Sequence, residues 1–376
     1  MIFSFYSYKG GVGRTQLVAN LAAYLCYYEA KKILLIDWDL EAPGLDMYFE
    51  GIFENKWHVM AFMRRNYPTI YEEYIEKRKE AGHAKTIYEH EWAKSSIDNV
   101  LIRKAKEILE QRKSEKGLID FLNDYITLAK TTGNQAKIAA NIPNYKEYIF
   151  QAIPEMEGTG KVDILSAGKF DEHYIQKVND FDWEGFKERY NGIGFIEEYW
   201  KPQLQNGDYD YIFIDSRTGI SDYAGICNIL MPDANVILVA PNKQNMQGAK
   251  RIAEGIVSSG YVQKGKRKPL ILPLLARVDT SVESSAPKLR SYKELFAETF
   301  FPLIFPNKEF TEKAKNDYLK WNETYILEYK RDLSVGENIL FDLNKQTIEV
   351  SSLANIYKEI ATLIQRTDHN SDNFIS

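Results

Sequence analysis

Near its start the chain runs Lys9-Gly10-Gly11-Val12-Gly13-Arg14-Thr15, three glycines among two cations and a hydroxyl. Phosphate oxygens need many donors at close range. Glycines let backbone N–H groups converge without a Cβ in the way, and a helix that follows adds the positive end of its dipole. A Thr at the helix start supplies a hydroxyl that ligates Mg²⁺ where the ion bridges phosphates. The chemistry this predicts is capture of a polyphosphate by Lys9, Gly10, Gly11, Val12, Gly13, Arg14, Thr15 and Gln16. Carboxylates suited to such a site stand after two apolar runs. Asp37 and Asp39 follow 32–36 (KILLI), and Asp215 follows 211–214 (YIFI). A carboxylate at the end of a parallel strand lies on the ligand side of the sheet.

Those residues need elements to hold them. Residues 2–7 are apolar and aromatic or β-branched, which reads as a strand ending just before the glycines. Leu17, Val18, Leu21 and Leu25 recur at helical spacing, and 32–36 is a second buried strand. Strand, helix, strand is a βαβ unit and implies a parallel sheet. Further strands are predicted at 162–165, 211–214, 236–239 and 270–275, apolar on both faces as central strands are. Residues 300–305 are predicted as an edge strand, because Pro302 forbids a central place. Val350, Leu353, Ile356, Ile360, Leu363 and Ile364 make the stripe of a C-terminal packing helix. The fold class is α/β, a three-layer, doubly wound, mostly parallel sheet with a helical insertion. The main domain takes 1–50 and 160–366, the insertion 51–159, and a flexible tail 367–376. Within the insertion, 71–116 is dense in Glu and Lys of nearly balanced sign. Val100, Leu101, Ile108 and Leu109 suggest one buried stripe there. The segment is either a solvated decoration or a partner-binding module.

Composition narrows the classes. The chain has 376 residues, 44% hydrophobic and 27% charged, enough for a large core and unlike a disordered or fibrous chain. Lys+Arg 48 against Asp+Glu 53 gives −5, so nothing global attracts nucleic acid or an anionic membrane. The run Lys264-Gly265-Lys266-Arg267-Lys268 is the one dense basic patch, and a solvated loop is its simpler reading. No apolar run is long enough to span a membrane, and the N-terminus lacks a signal-peptide pattern. The two cysteines, Cys26 and Cys227, support neither a disulfide framework nor a metal site, so a reducing cytoplasm is the expected compartment. The five His show no HExxH spacing.

The glycine segment resembles the deviant Walker A motif (KGGxGKT) of the ParA/MinD ATPases, within the SIMIBI class of P-loop NTPases. Other blocks agree in order. Residues 36–44 (IDWDLEAPG) are similar to the switch I block, and 211–219 (YIFIDSRTG) to Walker B running into switch II. Residues 162–168, 236–242 and 274–279 are similar to the later strands. The resemblance covers 1–50 and about 160–280 and leaves out the insertion. It implies that Lys9 reaches the phosphates of a second subunit, making a homodimer in the nucleotide-bound state. It implies that Asp39 helps activate the attacking water, so Asp39 and Lys9 are the catalytic candidates. Thr15, Asp37 and Asp215 are then the Mg²⁺ residues, and the N–H of Gly219 serves the γ-phosphate. Arg14 departs from the family pattern, which has Lys there. It keeps the charge and can fork onto two oxygens, but its bulk puts fast hydrolysis in doubt. The KGGVGRT variant with DSRTGISD resembles a subgroup of bacterial ParA/MinD-like proteins, some associated with signalling or defence modules. Arg217 is either an internal arginine finger or the partner of an acid such as Asp222.

Base recognition is the least specified part. Ala276 stands where the family often has Asn, so Asn242, Arg277 and Asp279 are the remaining candidates. Asp279 could accept from a guanine, so GTP stays open beside ATP. The function this predicts is a nucleotide switch: ATP·Mg²⁺ binding with slow hydrolysis, coupled to dimerisation and to a protein partner that meets the insertion. DNA is the weaker partner, by analogy with the family's nonspecific contacts, and no membrane partner is expected. The alternatives are a SIMIBI-type phosphotransferase or ligase on a small molecule, and a non-hydrolysing nucleotide-sensing adaptor.

Overall fold

The computed structural model describes residues 1–54, 59–60, 63–64, 67–80, 103–104, 107, 116–132, 135–155, 158–219, 225–260, 268–279, 286–330, 337, 339–341 and 352–369. Eight strands form its sheet: β1 (Ile2–Ser7), β2 (Lys32–Asp37), β3 (Phe150–Ile153), β4 (Lys161–Leu165), β5 (Tyr211–Asp215), β6 (Ala234–Val239), β7 (Leu270–Val278) and β8 (Leu327–Glu328). Their order is β3-β4-β2-β5-β1-β6-β7-β8. Every neighbouring pair is parallel except β3 on β4. The α/β class and the mostly parallel sheet are as the sequence predicts, and each of the six buried runs read as a strand is one.

Side chains alternate across a strand, so each strand serves two cores. Phe3, Phe5, Ile33, Leu35 and Phe213 face one side, where α1 (Arg14–Glu29) and the last helix pack. Ile2, Leu34, Ile36, Ile212 and Ile214 face the other, against Trp38, Phe121 and Trp200. α1 is covered by the sheet on one side and the C-terminal helix on the other. That is why Leu17 through Tyr27 are all buried and the helix has no polar face. The C-terminal helix runs Ser352–His369 and buries Ala354, Tyr357, Ile360, Ala361, Leu363 and Ile364. Of the predicted stripe, Ile360, Leu363 and Ile364 are buried and Ile356 is half-buried, while Val350 and the side chain of Leu353 lie outside the described residues. It continues past 367, where the tail was expected to begin: Thr367 is buried and donates to the Leu363 carbonyl at 2.7 Å.

Two expectations need correction. Residues 300–305 are not an edge strand; they end the helix Ala286–Ile304. Phe296, Phe300 and Phe301 recur at helical spacing and bury one stripe. Pro302 lies in the last turn, so only two residues of the helix follow the intrahelical bond that it cannot donate. The edges are instead the two-residue β8 and the antiparallel β3. The second correction concerns 51–159. The helix Leu118–Thr132 buries Leu118, Ile119, Phe121, Leu122, Tyr125 and Ile126 under the sheet. Its first residues donate to the loop after β4, Leu118 N to Ser166 O at 2.8 Å and Ile119 N to Ala167 O at 3.1 Å. With β3, this helix belongs to the layers of the sheet rather than to an addition. Upstream, helix Pro68–Glu80 turns Tyr74 onto the core and exposes Glu72, Glu73, Glu76, Lys77, Lys79 and Glu80. The stripe Val100, Leu101, Ile108 and Leu109, the basic residues Lys264, Lys266 and Arg267, Asp222 and the tail from 370 lie outside the described residues.

Candidate functional site

β1 ends at Ser7 and the glycine loop follows at once, closed by Gly13 as the N-cap of α1. Gly11 has φ +72° and Gly13 φ +85°, left-handed conformations that a side chain would strain. No acid sits in the first turn of α1, so its dipole end is uncompensated. Gly10, Gly11, Val12, Gly13, Arg14, Thr15 and Gln16 all line one cavity of 530 Å³, with Asp39 and Arg277. Sequence reasoning therefore finds one wall of this cavity almost completely.

It misses the opposite wall. Tyr48 comes from the 3-10 helix Asp46–Glu54, Leu327 to Lys330 from β8 and the residues just after it, and Tyr357 from the last helix, and Glu337 joins them. Their only sequence signal is aromatic content; a two-residue strand carries no periodicity. Arg277 joins the walls. It sits at the end of β7 with φ +56°, rare for a side-chain-bearing residue. Its Nη1 donates to the Gly11 carbonyl at 2.9 Å, and its guanidinium lies 5.4 Å from the Tyr329 ring centre.

Other predicted residues lie elsewhere. Lys9 is exposed and does not line the cavity; its carbonyl accepts from Ser7 Oγ at 3.0 Å. Asn242 caps helix Lys243–Val257, accepting from Asn245 N at 3.0 Å. It and Asp279 do not line this cavity. Gly219 has φ +76° and accepts from Tyr6 Oη at 3.1 Å, and its neighbour Thr218 reaches the cavity instead. Arg217 is paired with Glu41, which links the two switch-like segments.

The acids lie behind the glycine loop. Asp37 and Asp215 are register partners on β2 and β5, each 1% exposed. Asp37 caps the turn after β2, accepting from Asp39 N at 3.1 Å and from Gly44 N and Leu45 N at 3.2 Å. Burial, reinforced by the facing Asp215, pushes its carboxyl up to about 8, although the Gly44 and Leu45 N–H groups oppose the shift. Burial raises Asp215 as well, against the pull of Arg14 and a Thr15 hydrogen bond. Arg14 is the bridge among them. Its Nη2 donates to Asp39 at 2.7 Å and its Nε pairs with Asp215, while Nη1 is buried with no hydrogen-bond partner. Burial works against the Arg14 charge, but Asp215 and then Asp39 offset it, and the guanidinium is held firmly protonated.

Mg²⁺ is tested by the donors themselves. The Thr15 hydroxyl and the Asp215 carboxylate are hard oxygens, already hydrogen-bonded to each other at the base of the loop. One guanidinium faces two carboxylates directly and a third behind them. In chemistry these residues fit the ion. As placed, no group of three or more His, Cys, Asp or Glu among the described residues is arranged to hold a metal, and Arg14 is paired with both Asp39 and Asp215.

Neither a protein-family model nor a curated protein matches the chain. Solved structures do. A pNOB8 ParA bound to nonspecific DNA aligns over 98% of this chain and 99% of its own, with TM-score 0.50 and 16% identity. The chain has the fold of the ParA/MinD ATPases. Two MinD structures align with lower scores. That of the Pyrococcus furiosus cell division ATPase has TM-score 0.48, 14% identity and coverage of 97% and 98%. That of Pyrococcus horikoshii OT3, complexed with Mg-ADP, has TM-score 0.46, 14% identity and coverage of 100% and 98%. Within the ParA-type fold of this chain, no helix among the described residues is long and apolar enough to cross a membrane.

Proposed function

We propose that this chain is a nucleotide-dependent switch that binds a nucleoside triphosphate with Mg²⁺, hydrolyses it slowly, and pairs with a second copy while the triphosphate is bound. The observation that carries this reading is the cavity. It gathers the glycine loop, the open N-terminus of α1, a Thr hydroxyl and an acid. Backbone N–H groups of Gly10 to Gly13 wrap phosphate oxygens, and the α1 dipole adds to their pull. Thr15 and Asp215, with Asp37 behind them, hold Mg²⁺, which when bound neutralises phosphate charge. Asp39 is 13% exposed and lines the cavity, where its carboxylate orients water and accepts its proton. Arg14 serves the phosphates as a forked cation. Exposed Lys9 is free of the chain's own cavity and is the residue offered to the other copy. ATP is the favoured substrate and GTP the alternative. Arg277, Tyr48 and Tyr329, rather than Asn242 or Asp279, form the wall that meets the base.

A protein partner meets the exposed charged face of helix Pro68–Glu80 and the segment after it. DNA, which the pNOB8 ParA structure contains, is a weaker partner for this chain. Lys268, the described end of the basic run, is half-buried and donates to the Leu303 carbonyl at 3.5 Å instead of projecting outward. Light scattering after size exclusion tests the switch. With ATP·Mg²⁺ the chain forms a dimer that persists longer in Asp39→Ala; identical elution with and without ATP would remove the model.

A further inference from the structure

The arginine at the first position of α1 holds two acids that come from different parts of the chain. Asp39 belongs to the turn after β2, and Asp215 ends β5. Nε takes Asp215 and Nη2 takes Asp39 at 2.7 Å, with Arg14 itself 6% exposed and Asp215 1%. A lysine has one ammonium and lacks the two in-plane donors that match two carboxylates at once. The same side chain also lines the cavity, and its third nitrogen, Nη1, is buried without a hydrogen-bond partner. Both carboxylates thus spend an oxygen on the guanidinium, and among the described residues no three or more His, Cys, Asp or Glu are grouped as a metal site.

We infer that Arg14 is the resident cation of the Asp39–Asp215 pair, closing those carboxylates to a divalent ion until a ligand draws the guanidinium away. The closure itself concerns the nucleotide-free chain; only the opening rests on the proposed triphosphate site. The physical reason is competition for one place. Two cations cannot share carboxylates in so small a volume without strong repulsion. A buried ion pair is left only when something replaces both of its hydrogen bonds.

The test uses Mn²⁺ alone, read by electron paramagnetic resonance on the full chain without nucleotide. Wild type shows no stoichiometric site. Arg14→Gln gains one, on the order of tenfold tighter or more than any wild-type uptake, and a further Asp215→Asn abolishes it. If Arg14→Gln fails to fold, Mn²⁺ restores its folding by circular dichroism, and Arg14→Lys binds Mn²⁺ more tightly than wild type. A stoichiometric Mn²⁺ site on wild type overturns the inference. So does an Arg14→Gln chain that binds no better than wild type. An unfolded Arg14→Gln chain that Mn²⁺ cannot rescue, with Arg14→Lys indistinguishable from wild type, overturns it too. Failure to bind ATP would end the proposed switch without touching these outcomes.

Discussion

Gly10 separates what the fold requires of the glycine loop from what a ligand requires. A Cβ built there meets nothing within 4 Å, and its φ lies outside the left-handed region that Gly11 and Gly13 occupy. Folding therefore does not need a glycine at this position. Gly10→Ala also restricts the unfolded chain, which stabilises by about 0.4–1 kcal/mol where the native backbone tolerates the change. Gly13→Ala differs: at φ +85° the left-handed conformation costs roughly 1–2 kcal/mol, with no clash added because the nearest atom is Gln16 Oε1 at 3.8 Å. Gly11→Ala carries the same strain and presses on Arg277 Nη1 at 3.4 Å. Urea denaturation, extrapolated linearly, compares the three variants with wild type. Gly10→Ala should equal or exceed wild type, and the other two should fall below it. Calorimetry with ATP·Mg²⁺ should then show all three weakened, Gly10→Ala on the order of tenfold, or about 1.4 kcal/mol. Equal destabilisation of Gly10→Ala and Gly13→Ala would refute the backbone reasoning. Unchanged ATP affinity in Gly10→Ala would refute the idea that this glycine makes room for phosphate.

Three other changes probe separate parts of the account. Phe121→Ala removes a ring 4.9 Å from Trp200 and 5.3 Å from Tyr148, and should cost about 3–5 kcal/mol in a denaturant melt. A cost below about 1 kcal/mol would mean that helix Leu118–Thr132 is decoration after all. Arg217→Ala breaks the pair with Glu41, whose side chain is 49% exposed; stability should move by no more than about 1 kcal/mol. Lys9→Ala should leave ATP affinity of the monomer unchanged and weaken nucleotide-dependent dimerisation in light scattering, and unaltered assembly rejects the cross-subunit role.

What could be read from sequence follows how local each signal is. The central strands announce themselves because burial on both faces leaves an unbroken apolar run, as in 32–36 and 211–214. The glycine loop and Asp39 are readable because their chemistry sits in contiguous residues. The far cavity wall is not. Tyr329, Glu337 and Tyr357 are brought by tertiary folding to the same cavity as Tyr48, which stands more than two hundred residues earlier, and nothing in their spacing marks them. Residues 300–305 read as an edge strand because a short apolar run is equally a helix end, and Phe296 decides between the two only in a longer window. Phe150–Ile153 was absorbed into the insertion because four residues on a sheet edge give too brief a pattern. The Arg14 bridge was half visible. The substitution itself could be read, but not that both acids would turn to it, since Asp39 and Asp215 are far apart in sequence.

The proposed switch rests on triphosphate capture by the loop from Gly10 to Thr15. Isothermal calorimetry of the purified chain with ATP, and separately with GTP, in the presence of Mg²⁺ tests that most directly. The account predicts saturable, stoichiometric uptake of at least one of them, weakened in Gly13→Ala. Absence of heat and of uptake with both nucleotides would contradict it.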